Sequence, residues 1–300
     1  MRRLRANALD RAGVDARPAL ARDDPDRVLP ARAAAQGAPL RPHVRRPVAR
    51  LPRAHALLAA DSEGPMNDLR IYDDYAAKWW DGSERWLRTL QAMAPARFRA
   101  FDPVVCDWSG LEVLDLGCGG GFMTELLAEK GASAVGIDPS QGAIAAARAH
   151  AAGEGLQIRY EVGVAEALPF AEDRFDAVVC VDVLEHVESL SETLAEAARV
   201  LKPGGWFLFD TINRNPLAAF GVVTVAERLA RLLPRGTHDP AKFIRPRELR
   251  ARLEALGFEV GRMRGLGPIG IDARGDFRFG LLPLTAVLYI GAARLGGATA

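Results

Sequence analysis

The stretch "VLDLGCGGGFMTELLAEKGASAVGIDPS", residues 113 to 140, contains the pattern from which the fold of this chain can be predicted. An apolar run leads into residues 117–121, where four of the five positions are glycine, and a helix-like pattern follows. A strand that enters such a turn lets backbone N–H groups approach a ligand, and an acid about twenty residues later can bind ribose hydroxyls. Asp138 stands at that distance. The stretch therefore predicts a strand, a ligand-binding turn and a helix.

The residues of the turn narrow the choice of ligand. A dinucleotide fingerprint GxGxxG that starts at Gly117 needs a sixth-position glycine, where this chain has Phe122. The observed pattern is acid-x-G-x-G-x-G, formed by Asp115, Gly117, Gly119 and Gly121. A carboxylate is unfavourable beside a pyrophosphate but favourable near an ammonium or a sulfonium. The pattern therefore disfavours a nicotinamide oxidoreductase. The alternative to a ligand-binding turn is a glycine turn that is needed only for packing.

The chain beyond Ile71 alternates short apolar runs with amphipathic stretches, which is typical of a sheet covered by helices on both faces. We predict an α/β fold with a doubly wound, mostly parallel sheet. Seven strands are expected at residues 111–116, 133–138, 157–162, 175–181, 205–211, 258–264 and 284–292. Helices are expected at about residues 121–130, 141–152, 189–201 and 246–256. Residues 212–245 are too long for an ordinary connection, so we predict a helical insertion after strand five.

Residues 1–65 differ in composition from the rest of the chain, with thirteen Arg, many Ala and Pro, and no periodic apolar face. Such a segment buries too little surface to offset the entropy lost on ordering. We expect it to be disordered, or over-translated with Met66 as the biological start. A transit peptide is disfavoured because several Asp and no Ser precede Ser62. The folded domain is therefore expected to cover residues 66–300.

The composition excludes several classes of protein. A net charge of +1 argues against nucleic acid as a partner. Cys106, Cys118 and Cys180 form no CxxC pair, so neither a zinc site nor a redox pair of cysteines is indicated, and a reducing cytoplasm is expected. The apolar tracts at 216–233 and 279–293 fall short of the ~20 residues that a spanning helix needs.

The glycine turn and its acids resemble the motif of class I S-adenosylmethionine (SAM)-dependent methyltransferases. Two further stretches lie where that family has them. "EALPFAEDRFDAVVCVDVLEHV" (166–187) resembles the adenine-side loop and strand four, and "RVLKPGGWFLF" (199–209) resembles the turn into strand five. The resemblance implies that Asp138 binds ribose. Many class I enzymes place an Asp near position 164, but this chain has Val164, so backbone N–H groups and apolar contact are expected to bind adenine.

A narrower resemblance covers about Tyr72 to Pro268. "AAKWWD" (76–81), "TINRN" (211–215) and "LPRGTHDPAKFIRPREL" (233–249) are similar to the ubiquinone-biosynthesis O-methyltransferases. Those enzymes act as 3-demethylubiquinol 3-O-methyltransferase and 2-polyprenyl-6-hydroxyphenol methylase. The resemblance implies SAM-dependent methylation of a phenolic hydroxyl on a polyprenylated ubiquinone precursor. A lipophilic phenol or quinol would be the substrate, and a quinone-biosynthesis complex a partner.

The same resemblance implies cofactor contacts at Arg97, Gly117, Asp138 and Val181. Arg97, in "APARF", is expected to pair with the methionyl carboxylate of the cofactor through charge-assisted hydrogen bonds. The alternative is a solvated arginine on a helix. The contacts predicted for the cofactor are thus spread from the segment before the glycine turn to the end of strand four.

Asp182, Glu185 and His186 in "DVLEH" are the candidate catalytic residues. Their spacing of i, i+3 and i+4 places them on one face if a helical turn follows strand four. Two carboxylates and an imidazole could hold a divalent ion such as Mg²⁺, which would lower the pKa of the phenol. Related quinone-pathway enzymes are thought to do this, with Glu in place of Asp182. A metal-free general base at His186, or a purely local role for Glu and His, are the alternatives.

Residues 216–233 carry apolar residues on one side and charged residues on the other, namely Glu227, Arg228 and Arg231. One interpretation is an interfacial helix that lies on the inner face of the membrane and admits a prenylated phenol. The other is a cap that packs on the core of the domain. His238 and Asp239, in "GTHDP", are expected to cap the next helix or to position the acceptor.

The acceptor side departs from the pattern expected for the family. Leu90-Gln91 and Ala94-Pro95 stand where Leu-His and Asn-Pro are expected, and the last strand lacks an Asn-Tyr pair. Each change removes a polar group. Another lipophilic or natural-product phenol is therefore an alternative acceptor, and a non-catalytic cofactor-binding component of a quinone-biosynthesis assembly is an alternative function.

Overall fold

The computed structural model describes residues 70–229 and 232–297. The expectations for residues 1–65 and for Met66 lie outside the described residues, as does Arg231. Within the described part of the chain the fold is α/β, with a central sheet and helices on its faces.

Nine strands form the sheet of the described residues. They are β1 (Glu112–Leu116), β2 (Ser133–Asp138), β3 (Arg159–Val162), β4 (Phe175–Cys180), β5 (Leu201–Ile212), β6 (Phe258–Val260), β7 (Arg264–Ile271), β8 (Phe277–Leu282) and β9 (Leu288–Leu295). The order across the sheet is β3-β2-β1-β4-β5-β9-β7-β8, and β6 also pairs with β9. Strands β1 to β5 pair in parallel, whereas β9 is antiparallel to β5, β6 and β7. The predicted doubly wound, mostly parallel sheet is confirmed.

The strand order places a binding cleft at β1. After β1 the chain builds outward through β2 and β3, then returns to add β4 and β5 on the other side. Ligands of open α/β sheets bind at such a switch point, beyond the carboxyl ends of the strands. Strands β1 and β4 are almost fully buried and mostly apolar, as expected for parallel strands covered on both faces. The glycine turn after β1 and the residues after β4 therefore face each other.

The helices confirm the four predicted from sequence and add others. They are α1 (Ile71–Asp74), a 3₁₀ turn (Ala76–Lys78), α2 (Arg85–Val105), α3 (Phe122–Glu129), α4 (Gln141–Gly153), α5 (Leu190–Val200), α6 (Pro216–Ala219), a π-helix (Phe220–Leu229) and α7 (Pro246–Ala255). Side-chain caps start three of them: Ser140 accepts a bond from Ala143 N, Ser189 from Glu192 N, and Asn215 from Ala218 N. The first of these caps directly follows β2, so it also helps to shape the cleft.

The C-terminal part of the sheet is more elaborate than predicted. The strand expected at 258–264 is divided into β6 and β7, and the unpredicted β8 forms an antiparallel hairpin with β7. Helix α2 packs against β8. Arg88 Nε donates to Asp276 Oδ2 at 2.7 Å, which ties α2 to the hairpin. The sheet is therefore extended by an element that α2 supports.

The insertion packs one face on the domain, as the core-cap interpretation expects. Ala218, Val222 and Val223 are buried in one cluster with Ile212 and Phe243. Glu227 is only 1% exposed, so its assignment to the polar outer side is wrong.

The other face of the insertion is apolar and exposed. Leu217, Phe220 and Leu229 are 55–71% exposed. None of the described helices combines the length and the apolarity required to cross a membrane. The insertion thus has one packed apolar face and one apolar face open to its surroundings.

Candidate active site

A cavity of about 780 Å³ lies at the switch point. Its walls come from residues 70–79, α2, the glycine turn, the end of β2 and the residues that follow β4. This volume is typical of a small-molecule site. Ala94, one of the departures from the family pattern, also lines it, as does Leu90.

The glycine turn approaches the cavity through backbone conformations that favour glycine. Gly117, Gly119 and Gly121 have φ angles of 73°, 51° and 95°. A Cβ atom at Gly117 would lie 2.2 Å from Val183 Cγ2. The turn is therefore restricted to glycine by both its conformation and its neighbours, and its backbone is accessible to a ligand.

Asp138, the predicted ribose-binding acid, ends β2 and lines the cavity. Its Oδ2 accepts from Gly119 N at 2.9 Å, and its Oδ1 accepts from Ser140 N at 2.9 Å. Burial raises the pKa of Asp138 to about 6. The carboxylate thus joins the glycine turn to the start of α4, and Val164 and Val181 line the same cavity.

Asp115 lies at the base of the turn and is 1% exposed. Its Oδ2 accepts from Thr124 Oγ1 at 2.5 Å, while its buried Oδ1 has no partner among the described residues. Burial raises the pKa of Asp115 to about 7. An acid with one unsatisfied oxygen fits a ligand that brings a positive charge or an N–H group, which is what a SAM site requires.

Arg97 projects from α2 into the cavity wall and is 4% exposed, so it is not a solvated helix arginine. Its Nε donates to Asp210 Oδ2 at 2.6 Å, and its Nη2 pairs with Asp182 Oδ2. The guanidinium therefore already binds two carboxylates of the protein, and a cofactor carboxylate would have to share it. Asp210 was missed in the sequence, although an acid inside the apolar run "FLFDT" is a recognisable signal.

The structure brings together two of the three predicted catalytic residues. Glu185 and His186 lie together, but the third member is His238: their candidate ligand atoms all lie within 4.8 Å of one another. Asp182 has a φ of 54° and pairs with Arg97 instead. The residues after β4 form turns rather than the helix that the i, i+3, i+4 spacing assumed.

Burial controls the charges of this cluster. Glu185 Oε2 accepts from Thr211 Oγ1 at 2.7 Å, while its buried Oε1 has no partner in the described part of the chain. Burial, and next the charge of Asp182, raise the pKa of Glu185 to about 8. Burial lowers the pKa of His186 to about 3, with smaller effects of His238 and a nearby lysine. Near neutral pH the pair is therefore mainly uncharged, and it can release a proton if a cation binds.

The capping role predicted for "GTHDP" is wrong. Helix α7 begins at Pro246 with Arg245 in the N-cap position. Asp239 Oδ1 accepts from Ala241 N at 2.9 Å within its own turn. His238 instead places its ring 5.0 Å from that of His186, between centroids. His238 therefore belongs to the candidate active site.

The double tryptophan covers the glycine turn. Trp79 packs on Gly120 and lines the cavity, and Trp80 Nε1 donates to Gly120 O at 2.9 Å. The Trp80 ring stacks on His150 at 3.5 Å between centroids. Asp73 Oδ1 accepts from Ser140 Oγ at 2.7 Å. Residues 73–80 are thus attached to the glycine turn through the two tryptophans and to the start of α4 through Asp73.

Gly120→Ala is expected to weaken SAM binding about tenfold, because the new Cβ would lie 2.0 Å from Trp79 Cδ1 and push the indole away. Isothermal titration calorimetry measures the effect. Gly153→Ala is the matched control, since nothing lies within 4 Å of its Cβ position. Equal SAM affinity in both variants would show that Trp79 does not support the cofactor site.

Comparison with known proteins agrees with this geometry. The chain matches the family described as a methyltransferase domain over residues 114–209. A SAM-dependent methyltransferase from Thermotoga maritima aligns with a TM-score of 0.54 at 18% identity, over 75% of this chain and 98% of that one. The magnesium protoporphyrin IX methyltransferase of Synechocystis PCC 6803, solved with SAH bound, aligns with a TM-score of 0.53 at 21% identity, over 76% and 100%. The fold and the site define a class I methyltransferase, an enzyme that depends on SAM.

Sequence relatives narrow the class to a family. A protein of Thiobacillus denitrificans is 40% identical over 66% of this chain and 85% of its own length. One from Burkholderia orbicola is 37% identical over 77% and 97%. Both are named ubiquinone biosynthesis O-methyltransferase. The chain belongs to the ubiquinone biosynthesis O-methyltransferase family, which confirms the resemblance found in its motifs.

Proposed function

We propose that this enzyme methylates a phenolic hydroxyl of a polyprenylated ubiquinone precursor. The observation that carries the proposal is the buried cluster of Glu185, His186 and His238 beside a SAM-type cavity. His186 lines the cavity. A carboxylate oxygen of Glu185 and a ring nitrogen of His238 each lie within 4.8 Å of a ring nitrogen of His186. The names of the relatives support the choice of acceptor. Leu90 and Ala94 add apolar groups to the cavity wall, which suits a lipophilic phenol.

The reaction transfers a methyl group from the sulfonium of SAM to the phenolic oxygen by in-line displacement. The sulfonium loses its methyl group and becomes a thioether, and the phenol loses its proton. The protein has to align the two reactants and receive that proton. The ring of His186 lines the cavity and is the group placed to accept that proton if no cation is bound. Burial lowers its pKa to about 3, so it would be a weak base without further help.

The donor set also fits a divalent cation, because one buried Glu185 oxygen has no partner among the described residues. When bound, a cation would supply a Lewis acid that lowers the pKa of the phenol. Two imidazoles and one carboxylate suit Zn²⁺, Mn²⁺ or Fe²⁺ better than Mg²⁺, which prefers oxygen ligands. We therefore revise the predicted ligand set to Glu185, His186 and His238. Asp182 is left to hold Arg97.

The exposed apolar face of the insertion supports peripheral contact with a membrane. Leu217 and Phe220 lie on α6 and the start of the π-helix, and each is more than half exposed. A prenyl tail partitions into lipid, so an enzyme that takes such an acceptor benefits from contact with the bilayer surface. Cytoplasmic location and association with a quinone-biosynthesis complex remain predictions.

Methyl transfer from labelled SAM to a short-chain demethylubiquinol is expected to exceed transfer to a tail-less catechol at least tenfold in kcat/KM, because the tail buries apolar surface. Chelator is expected to abolish turnover, and Zn²⁺ or Mn²⁺ to restore it more effectively than Mg²⁺. Equal rates on both acceptors would contradict the prenylated substrate and favour another phenol. Turnover that survives chelation would contradict the metal and leave His186 as the base.

A further inference from the structure

Glu227 is a buried carboxylate for which the proposed reaction has no use. It belongs to the π-helix of the insertion, where the other buried residues are Val222 and Val223. A carboxylate that is 1% exposed in apolar surroundings is costly unless hydrogen bonds satisfy it. The position therefore requires an explanation beyond packing of the insertion.

The partners of Glu227 all belong to the turn that carries His238. Glu227 Oε2 accepts from Gly236 N at 2.9 Å. Glu227 Oε1 accepts from His238 N at 3.1 Å and lies 2.8 Å from His238 Nδ1. One side chain of the insertion thus holds both the backbone and the ring of a residue that lies eleven positions later.

The contact with Nδ1 determines which nitrogen of His238 carries the proton. Both Glu227 oxygens already accept from backbone N–H groups, and a carboxylate can only accept from the ring, so this geometry favours a neutral imidazole with its proton on Nδ1 and its lone pair on Nε2. The same ring packs against His186 and belongs to the cluster with Glu185. Such carboxylate–histidine pairs orient imidazoles that bind metals or substrates.

We propose that Glu227 is a positioning residue that fixes the tautomer and orientation of His238, so that Nε2 serves the cluster with Glu185 and His186. The insertion is then part of the active site, because the third donor is in place only when the π-helix is packed on the domain. This inference rests on the proposed function. It assigns to the insertion a task besides covering the core and contacting lipid.

The test is the tautomer of His238 in full-length, metal-free protein labelled with ¹⁵N-histidine. The chain has five histidines, so a His238→Asn variant assigns the signal. We expect the Nδ1–H tautomer in the wild type and a shift towards Nε2–H in Glu227→Gln. Zn²⁺ affinity and kcat are expected to fall about 10- to 100-fold in that variant, with SAM affinity unchanged.

Asp272→Asn is the matched control, because Asp272 also holds a turn through the backbone N–H groups of Arg274 and Asp276 but contacts none of the imidazoles that the structure describes. A lower Tm in Glu227→Gln with unchanged tautomer and Zn²⁺ affinity would overturn the proposal. So would an Nε2–H tautomer in the wild type. Neither readout requires an acceptor, so failure to methylate any phenol would count against the proposed function alone.

Discussion

Glu185→Gln is expected to lower kcat for methyl transfer by about 10²- to 10⁴-fold, the usual contribution of a positioned acid–base group. The amide is isosteric and can still accept the bond from Thr211 Oγ1. It cannot lose a proton, so it can neither become a charged ligand for a cation nor exchange a proton with His186. Steady-state kinetics at saturating SAM measures the loss.

The control for this variant is Glu259→Gln, which makes the same chemical change at an exposed position on β6. Calorimetry should give Glu185→Gln a SAM affinity within about twofold of the wild type, since a group of this kind acts on the chemical step. A kcat within threefold of the wild type would remove Glu185 from catalysis. A parallel loss of kcat and SAM affinity would assign it to the cofactor pocket instead.

The elements that sequence alone predicts well are those set by local chemistry. The glycine turn, β1, β2 and the helix after each of them follow from apolar periodicity and from residues that favour turns. Ser140 and Ser189 mark helix starts because their hydroxyls cap the first turn. The acids at the ends of β1 and β2 were recognisable for the same reason, since strand ends position them.

Elements that depend on distant partners were not predictable in this way. The hairpin of β7 and β8 is supported by α2 through Arg88 and Asp276, 188 residues apart. Its sequence, "GLGPIG" followed by "DFRFGLL", has too many glycines for a clear alternation of apolar and polar residues. Tertiary contact therefore decides its structure.

In the candidate site, too, the residues set by local sequence were predictable and those brought together by distant contacts were not. Glu185 and His186 were predicted because they are adjacent in a recognisable motif. The grouping of Asp182 with them assumes a helical turn, but Asp182 has a positive φ and pairs with Arg97, so it lies near the cluster of Glu185, His186 and His238 without joining it. His238 joins the cluster from the far end of the insertion, at a distance of 52 residues along the chain from His186. The sequence suggests His238 as a residue that could position the acceptor, but no local pattern shows its approach to His186.

Asp138→Ala is expected to raise the Kd for SAM by about 10²-fold or more. Hydrogen bonds to a charged group contribute about 1.5–3 kcal/mol each, and about 1.4 kcal/mol corresponds to a tenfold change. The variant loses the carboxylate proposed to bind the ribose hydroxyls. It also releases the Gly119 and Ser140 N–H groups that the carboxylate holds at 2.9 Å. Calorimetric titration with SAM and with S-adenosylhomocysteine measures both affinities.

Asp107→Ala is the control for Asp138→Ala. It removes a carboxylate that holds a backbone turn but is not expected to bind ribose. Asp107 is exposed and, like Asp138, accepts a backbone N–H, from Ser109 at 2.9 Å, but it does not line the cavity. Its variant should bind SAM like the wild type. Because S-adenosylhomocysteine has the same ribose but no sulfonium charge, Asp138→Ala should weaken both ligands by the same factor. A loss confined to SAM would mean that Asp138 acts through its charge on the sulfonium, and the ribose assignment would be wrong.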